Sequence, residues 1–273
     1  MEKIIYAYFS DCSDPKDLIL AASIRKYGGS LSDYPIWVLI PKPVASTAKE
    51  MKDLFLSLNV ELIPLSTRDE PKFPFITQVL AAAIAESYAK ERTHLLAWLG
   101  SNTIIFHEPK HFLLDTDKNL GYRPVHHTNI GSFYDEPIDP FWEKVYRKFN
   151  VSTEHIFPMK THVDHNKLRP YFNAGCLIVR PEKGLLQSWW NSYKESYNEQ
   201  IFTDYYKKNY LYAIFIHQAV LTGLILSKME RTELYELPCD YNYPLNLYYN
   251  CPVVYRAKNI NELITVRYED PGD

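Results

Sequence analysis

The first sixty-five residues alternate short, nearly uncharged apolar runs with amphipathic ones, and that alternation restricts the chain to very few architectures. Lys3–Phe9 (KIIYAYF), Pro35–Ile40 (PIWVLI) and Val60–Leu65 are runs of mostly consecutive apolar residues, as in strands covered on both faces. Between them, Asp17–Tyr27 sets Leu18, Leu20, Ala21, Ala22 and Ile24 in a helical pattern that stops at Gly28-Gly29. A second helix is expected over Ser46–Leu58, with Ser46 or Thr47 as its cap. Strand-helix-strand-helix-strand in so short a length predicts parallel strands with helices on both faces, because a parallel crossover must return the chain across the sheet.

The same logic makes His94–Glu108 (HLLAWLGSNTIIFHE) the centre of the chain. An apolar run, Leu95–Leu99, meets a small polar turn, Gly100-Ser101-Asn102-Thr103, and then a second apolar run, Ile104–Phe106, before Pro109. A buried central strand ending in such a turn places backbone groups in the crevice where open α/β sheets bind ligands. The helix within Lys72–Arg92 is expected to start near Phe75, and its charged end (Glu86, Lys90, Glu91, Arg92) reads as a solvated last turn.

From about 110 to 170 the pattern dissolves into prolines and six histidines, with one helix expected at Phe141–Phe149. A long irregular stretch in a compact domain is usually functional, and this one reads as an ordered lid or acceptor-side segment. Regular structure resumes with a small-residue turn before a buried strand Cys176–Val179, followed by a helix over Leu185–Tyr197 and an uncharged helix around His217–Leu226. A strand at Glu233–Leu237, a turn at Asp240–Pro244 and a last strand at Pro252–Arg256 complete the expected elements, which suit a mixed sheet.

Composition excludes several functions. With 46% hydrophobic and 15% aromatic residues the chain can bury a core, and a net charge of −3 provides no basic footprint for nucleic acid or an anionic membrane. The four cysteines show no C-x-x-C spacing, and the N-terminal apolar run is too short for a signal peptide, so a cytoplasmic protein is expected. Tyr210–Ser227 carries no formal charge over 18 residues, yet His217 and Gln218 at its middle make a buried helix the better reading than a membrane span. G-x-S-x-G, G-x-x-x-x-G-K and G-x-G-x-x-G motifs are all absent from the sequence.

Four segments then point to a family. Leu95–Pro109 keeps the frame of the D-x-D segment of GT-A glycosyltransferases, with Gly100 and Asn102 at the two carboxylate positions. Phe172-Asn173-Ala174-Gly175 resembles the F-N-[SA]-G segment of the glycogenin and galactosyltransferase-like families, and His217-Gln218 before Leu221 resembles their D-Q-x-x-L helix start with His in place of Asp. An opening strand ending in Phe9-Ser10-Asp11 fits the nucleotide-facing first strand. The resemblance implies an α/β protein with a three-layer α/β/α, GT-A-like nucleotide-diphospho-sugar transferase fold and a mixed, mostly parallel central sheet. It implies one domain over 1–273, with a nucleotide-binding half over 1–109, the irregular lid or acceptor segment over 110–172 and a second half over 173–273.

As implied by the resemblance, the binding residues are Phe9, Asp11, Ser101, Asn102, Asn173, Gly175, His217 and Gln218; no catalytic residue is assigned. The donor is a nucleotide sugar, the acceptor is open, and no metal is expected at the turn, because neither Gly100 nor the Asn102 amide is a good ligand for a hard cation. Arg123, Arg169, Arg180, Arg256 and Lys72 are the basic side chains available for a diphosphate. Two alternatives stand beside transfer. One is a catalytically inactive GT-A-like sugar- or nucleotide-binding protein. The other is a metal-dependent hydrolase built on Asp115-Thr116-Asp117 and on histidines such as His155, His162 and His165.

Overall fold

The computed structural model describes residues 1–42, 48–66 and 70–268. Its first half follows the apolar runs: β1 (Glu2–Phe9), α1 (Leu18–Tyr27), β2 (Ile36–Lys42), α2 (Ala48–Ser57), β3 (Val60–Ser66), α3 (Ile76–Ala89), β4 (Thr93–Leu99) and β5 (Thr103–Ile105). The expected cap at Ser46 or Thr47 lies outside the described residues. Then come β6 (Leu120–Pro124), α4 (Pro140–Lys148), β7 (Met159–Lys160), β8 (Lys167–Leu168) and β9 (Phe172–Val179). The chain continues through α5 (Leu185–Ser196), α6 (Gln200–Lys208), α7 (Leu211–Lys228), β10 (Leu234–Glu236), β11 (Tyr243–Pro244) and β12 (Thr265–Arg267).

Among the described residues the main sheet has seven strands in the order β10-β6-β9-β4-β1-β2-β3. Every neighbouring pair is parallel except those made by β9, so the sheet is mixed and mostly parallel, with β4 in the middle. Alternate β4 side chains enter different layers. Leu96 and Trp98 pack with α3, α5 and α7, whereas Leu95, Ala97 and Leu99 pack with α1 and α2. Both faces are therefore apolar, which is why the strand sequence shows no polar alternation. The architecture is the three-layer α/β/α arrangement expected.

The uncharged helix is core. In α7, Ile216, Ala219, Val220, Leu221 and Ile225 are fully buried, and each large apolar side chain so placed contributes about 1.5–3 kcal/mol. The helix is long and apolar enough to cross a membrane, but 67% of it is covered by the rest of the chain.

Five expectations are corrected. The 110–172 segment is not wholly irregular, because β6 (LGYRP) lies buried in the main sheet between β10 and β9. Asn173–Gly175 belong to β9 itself and not to a turn before it. His217-Gln218 lie well inside α7, which begins at Leu211, and not at a helix start. Pro252–Arg256 is not a strand: Val253–Tyr255 form an exposed 3-10 turn, and the last strand is β12. Glu86 is fully buried, with its carboxylate accepting from the backbone N–H groups of Leu186 (3.1 Å) and Gln187 (2.8 Å) at the start of α5. It supplies the acceptors that the first turn of α5 lacks, and burial pushes its pKa up to about 7.

Candidate active site

β1 and β4 are parallel neighbours, with Ala7 beside Trp98, so both deliver their carboxyl ends to one edge of the sheet. The antiparallel β9 begins at that edge: Cys176 pairs with Leu99, and the Gly100 N–H donates to the Gly175 carbonyl at 2.8 Å. A cleft of about 530 Å³ opens there, within the roughly 300–1,000 Å³ common for small-molecule sites. All eight expected binding residues line it: Phe9, Asp11, Ser101, Asn102, Asn173, Gly175, His217 and Gln218. Val125, His126, His127 and Asn129, which follow β6, form another wall.

At the β1 end, Ser10 Oγ donates to Asp17 Oδ2 at 2.5 Å and accepts from the Cys12 N–H at 2.9 Å. Asp11 Oδ1 accepts from the Ser13 N–H at 2.9 Å, and Asp14 Oδ1 from the Lys16 N–H at 2.8 Å. Local donors thus fix this loop, in which Cys12 takes a left-handed conformation.

The β4 turn closes with the Thr103 N–H donating to the Gly100 carbonyl at 3.1 Å. Above it lies the Arg267 guanidinium. A Cβ placed on Gly100 would sit 3.2 Å from Arg267 Cζ and 2.9 Å from Asn102 Oδ1, and one placed on Gly175 would come within 2.0 Å of Arg267 Nη1. Arg267 ends β12, which pairs antiparallel with β5 and sets Arg267 opposite Thr103, so the strand leaving the turn fixes the arginine over it. Only 6% of Arg267 is exposed.

None of the basic residues named as available for a diphosphate lines it. Arg123 pairs with Glu236 at 3.3 Å and donates to the Leu237 carbonyl at 2.7 Å. Arg169 donates to the carbonyls of Phe133 and Glu136, Arg180 to those of Lys118 and Asp115, and Arg256 to those of Cys251 and Tyr249. Lys16 and Arg267 are the lysine and arginine of the cleft among the described residues. The available sequence signal for Arg267 is the β-favouring run Ile264-Thr265-Val266 before it.

On the α7 side, His217 Nδ1 lies 2.8 Å from the Ile214 carbonyl, so that nitrogen carries the proton and donates. The ring stacks on Phe75 at 4.1 Å, and burial lowers its pKa to about 3, leaving a neutral imidazole. Phe75 holds a left-handed backbone (φ 61°) at the start of α3, a conformation uncommon for a bulky residue and frequent at functional sites. Gln218 Oε1 accepts from the Ala174 N–H at 3.0 Å, and Asn173 Oδ1 accepts from the Gly175 N–H at 2.8 Å. Those bonds leave both side-chain NH2 groups to donate into the cleft they line. Phe75, Trp98, Trp189 and Arg267 were not foreseen as lining residues.

Among the described residues the hydrolase alternative has no assembled site. Asp115 and Asp117 precede β6, whose first residue, Leu120, lies beside Val179 and so at the sheet edge opposite the cleft. Asp117 pairs with Lys118 at 2.8 Å. His155 is bound to the Leu226 carbonyl at 2.6 Å, His162 packs on Tyr243, and His165 stacks on Tyr255. Among the described residues no three His, Cys, Asp or Glu side chains form a metal-binding group. Among the described residues, the turn to which the resemblance brings a divalent cation offers Gly100, the Asn102 amide and a guanidinium, a donor set poorly matched to a hard cation.

Comparison with known proteins gives the family and the fold. The profile of the Rhodobacterales glycosyltransferase domain matches residues 14–211. No curated protein matches the sequence. Among solved structures, the galactosyltransferase LgtC in complex with donor and acceptor sugar analogues superposes with a TM-score of 0.55 at 13% identity, over 98% of this chain and 87% of that one. Mouse xyloside xylosyltransferase 1, in its apo form, gives 0.51 at 9% identity over 97% and 96%. The bifunctional glycosyltransferase WbbM gives 0.55 at 12% identity, over 98% of this chain and 46% of that one. At these identities the structural matches show a shared GT-A-like, nucleotide-sugar transferase fold, and the matched domain shows the family: the chain belongs to the Rhodobacterales glycosyltransferase domain family.

Proposed function

We propose that this chain transfers a glycosyl group from a nucleotide-diphosphate sugar bound in the cleft at the ends of β1 and β4, with no divalent cation held at the 100–102 turn. The observation that carries the reading is the convergence in one cleft of eight residues drawn from four separate segments of the chain. Phe9 and Asp11 face the nucleoside, Ser101, Asn102 and Gly175 the diphosphate, and Asn173, His217 and Gln218 the sugar. The acceptor approaches past the 125–129 wall. In the transfer the acceptor hydroxyl gives up its proton, to the departing diphosphate or to solvent, and its oxygen forms a bond to the anomeric carbon as the bond from that carbon to the diphosphate breaks. Charge then accumulates on the leaving nucleoside diphosphate, and donors already aimed at it lower the barrier.

The test is donor turnover and donor affinity across UDP-, GDP-, ADP- and dTDP-sugars. Asn173→Ala and Gln218→Ala each remove a side chain that also holds the β9 backbone, so each should weaken binding of the sugar donor by about tenfold, the equivalent of one hydrogen bond of about 1.4 kcal/mol. If both variants fold and keep wild-type affinity for the donor, the cleft is misassigned. Donor binding without turnover on any acceptor would identify a non-catalytic relative.

A further inference from the structure

We propose that the Arg267 guanidinium is a built-in cation for the donor diphosphate, standing over the turn where the resemblance would place a metal. The inference rests on the donor-binding reading above and deepens it by naming the group that holds the phosphates.

Geometry carries the argument. The guanidinium occupies the space that side chains at two positions would otherwise fill, since a Cβ on Gly100 would lie 3.2 Å from Cζ and one on Gly175 only 2.0 Å from Nη1. Both glycines are therefore part of the arginine's seat: any larger residue at 175 must push the guanidinium away, and an acid at 100 would pair with it. An acid at 100 would draw the guanidinium into an ion pair, whereas glycine there leaves the positive charge facing the turn. The sequence at 100 and the residue at 267 thus describe one device.

The seat is stiff. β12 is hydrogen-bonded to β5 in antiparallel register, and Val266, one residue before the arginine, is fully buried, so the backbone cannot swing away from the turn. A guanidinium offers a planar fork of N–H donors that matches two phosphate oxygens at once, which a lysine ammonium does not. Its charge already acts in the cleft: after burial, Arg267 is the next cause that disfavours protonation of His126, a neighbouring lining residue. Lys16, which lines the same cleft from the β1 side and lies 4.0 Å from Asp14 Oδ2, is a second positive group there.

The experiment compares binding of UDP, GDP, ADP and dTDP with binding of the matching nucleosides, all in EDTA. Wild type should bind one diphosphate without added metal. Arg267→Gln should lose at least about tenfold for that diphosphate while nucleoside affinity holds, and Arg267→Lys should fall between. Gly175→Ala, whose backbone needs no unusual conformation, should reproduce the loss by displacing the guanidinium, and it keeps the test sharp if Arg267→Gln does not fold. Folded Arg267→Gln or Gly175→Ala protein with unchanged diphosphate affinity overturns the proposal, as does an equal loss for nucleoside and diphosphate. If wild type binds no nucleotide with or without metal, the donor-binding reading itself falls. If wild type binds only with manganese, that reading survives and the arginine's role does not.

Discussion

At the carboxyl edge of the main sheet, the turn Gly100–Asn102 carries no carboxylate and lies beneath the Arg267 guanidinium; at the opposite edge, Asp115-Thr116-Asp117 spells a D-x-D that leads into β6 beside Arg180. The two edges also differ in how they treat buried ionisable groups. His217 at the cleft is held neutral by burial, whereas Glu86, near the end of α3, spends both carboxylate oxygens on the start of α5. What this teaches is that position in the sheet outranks literal motif. The acids of the opposite edge serve a helix start, as Glu86 does, or pair locally, as Asp117 does with Lys118, while the uncharged 100–102 turn lines the cleft.

Substitutions can break that contrast, and the largest effect is expected at the cleft. Gly100→Asp places a carboxylate against Arg267 and should lower nucleoside-diphosphate affinity in EDTA by about 10- to 100-fold, for loss of a charge-assisted contact of about 1.5–3 kcal/mol. Calorimetric titration measures it, and a melting temperature close to wild type should accompany the loss. At the other edge the pattern reverses. Glu86→Ala should cost about 2 kcal/mol by leaving two backbone N–H groups without their acceptors, read as a shift in urea midpoint with donor affinity unchanged in protein that remains folded.

The pH dependence separates the edges further. His217 drops from 6.5 to about 3 on folding, so below pH 6.5 the unfolded chain binds a proton that the folded chain refuses, and stability falls with acidification. The slope from this one group is about 1.4 kcal/mol per pH unit, and His217→Gln should reduce the acid sensitivity of unfolding by that amount. Glu86 acts in the opposite sense. Its pKa rises from 4.5 to about 7, so its contribution is fullest below pH 4.5 and declines as pH rises through 7. Glu86→Gln should flatten that decline. The smallest effects belong to the literal motif: Asp115→Ala and Asp117→Ala should each shift stability by under about 0.5 kcal/mol and leave donor binding untouched.

Much of this was legible in the sequence, and the parts that were not share a physical cause. The strands of the first half announce themselves because consecutive apolar residues need cover on both faces, and β4 with its turn follows from the same rule. β6 does not, because Gly121, Arg123 and Pro124 carry no strand preference and are buried only by what surrounds them. Pro252–Arg256 shows the converse, where a β-branched pair finds no partner strand and stays exposed. Asn173–Gly175 reads as a turn because small residues favour turns, yet in β9 the missing side chain of Gly175 makes room for Arg267. The eight lining residues were readable from motif order, whereas Arg267 was not, since β12 reaches the turn only through its pairing with β5.

Metal-free donor binding at the carboxyl edge is decided by a single titration. Wild-type protein is titrated calorimetrically with UDP-, GDP-, ADP- and dTDP-sugars in EDTA and again with manganese. One donor should bind with the same affinity in both conditions. Binding that appears only with manganese would contradict it.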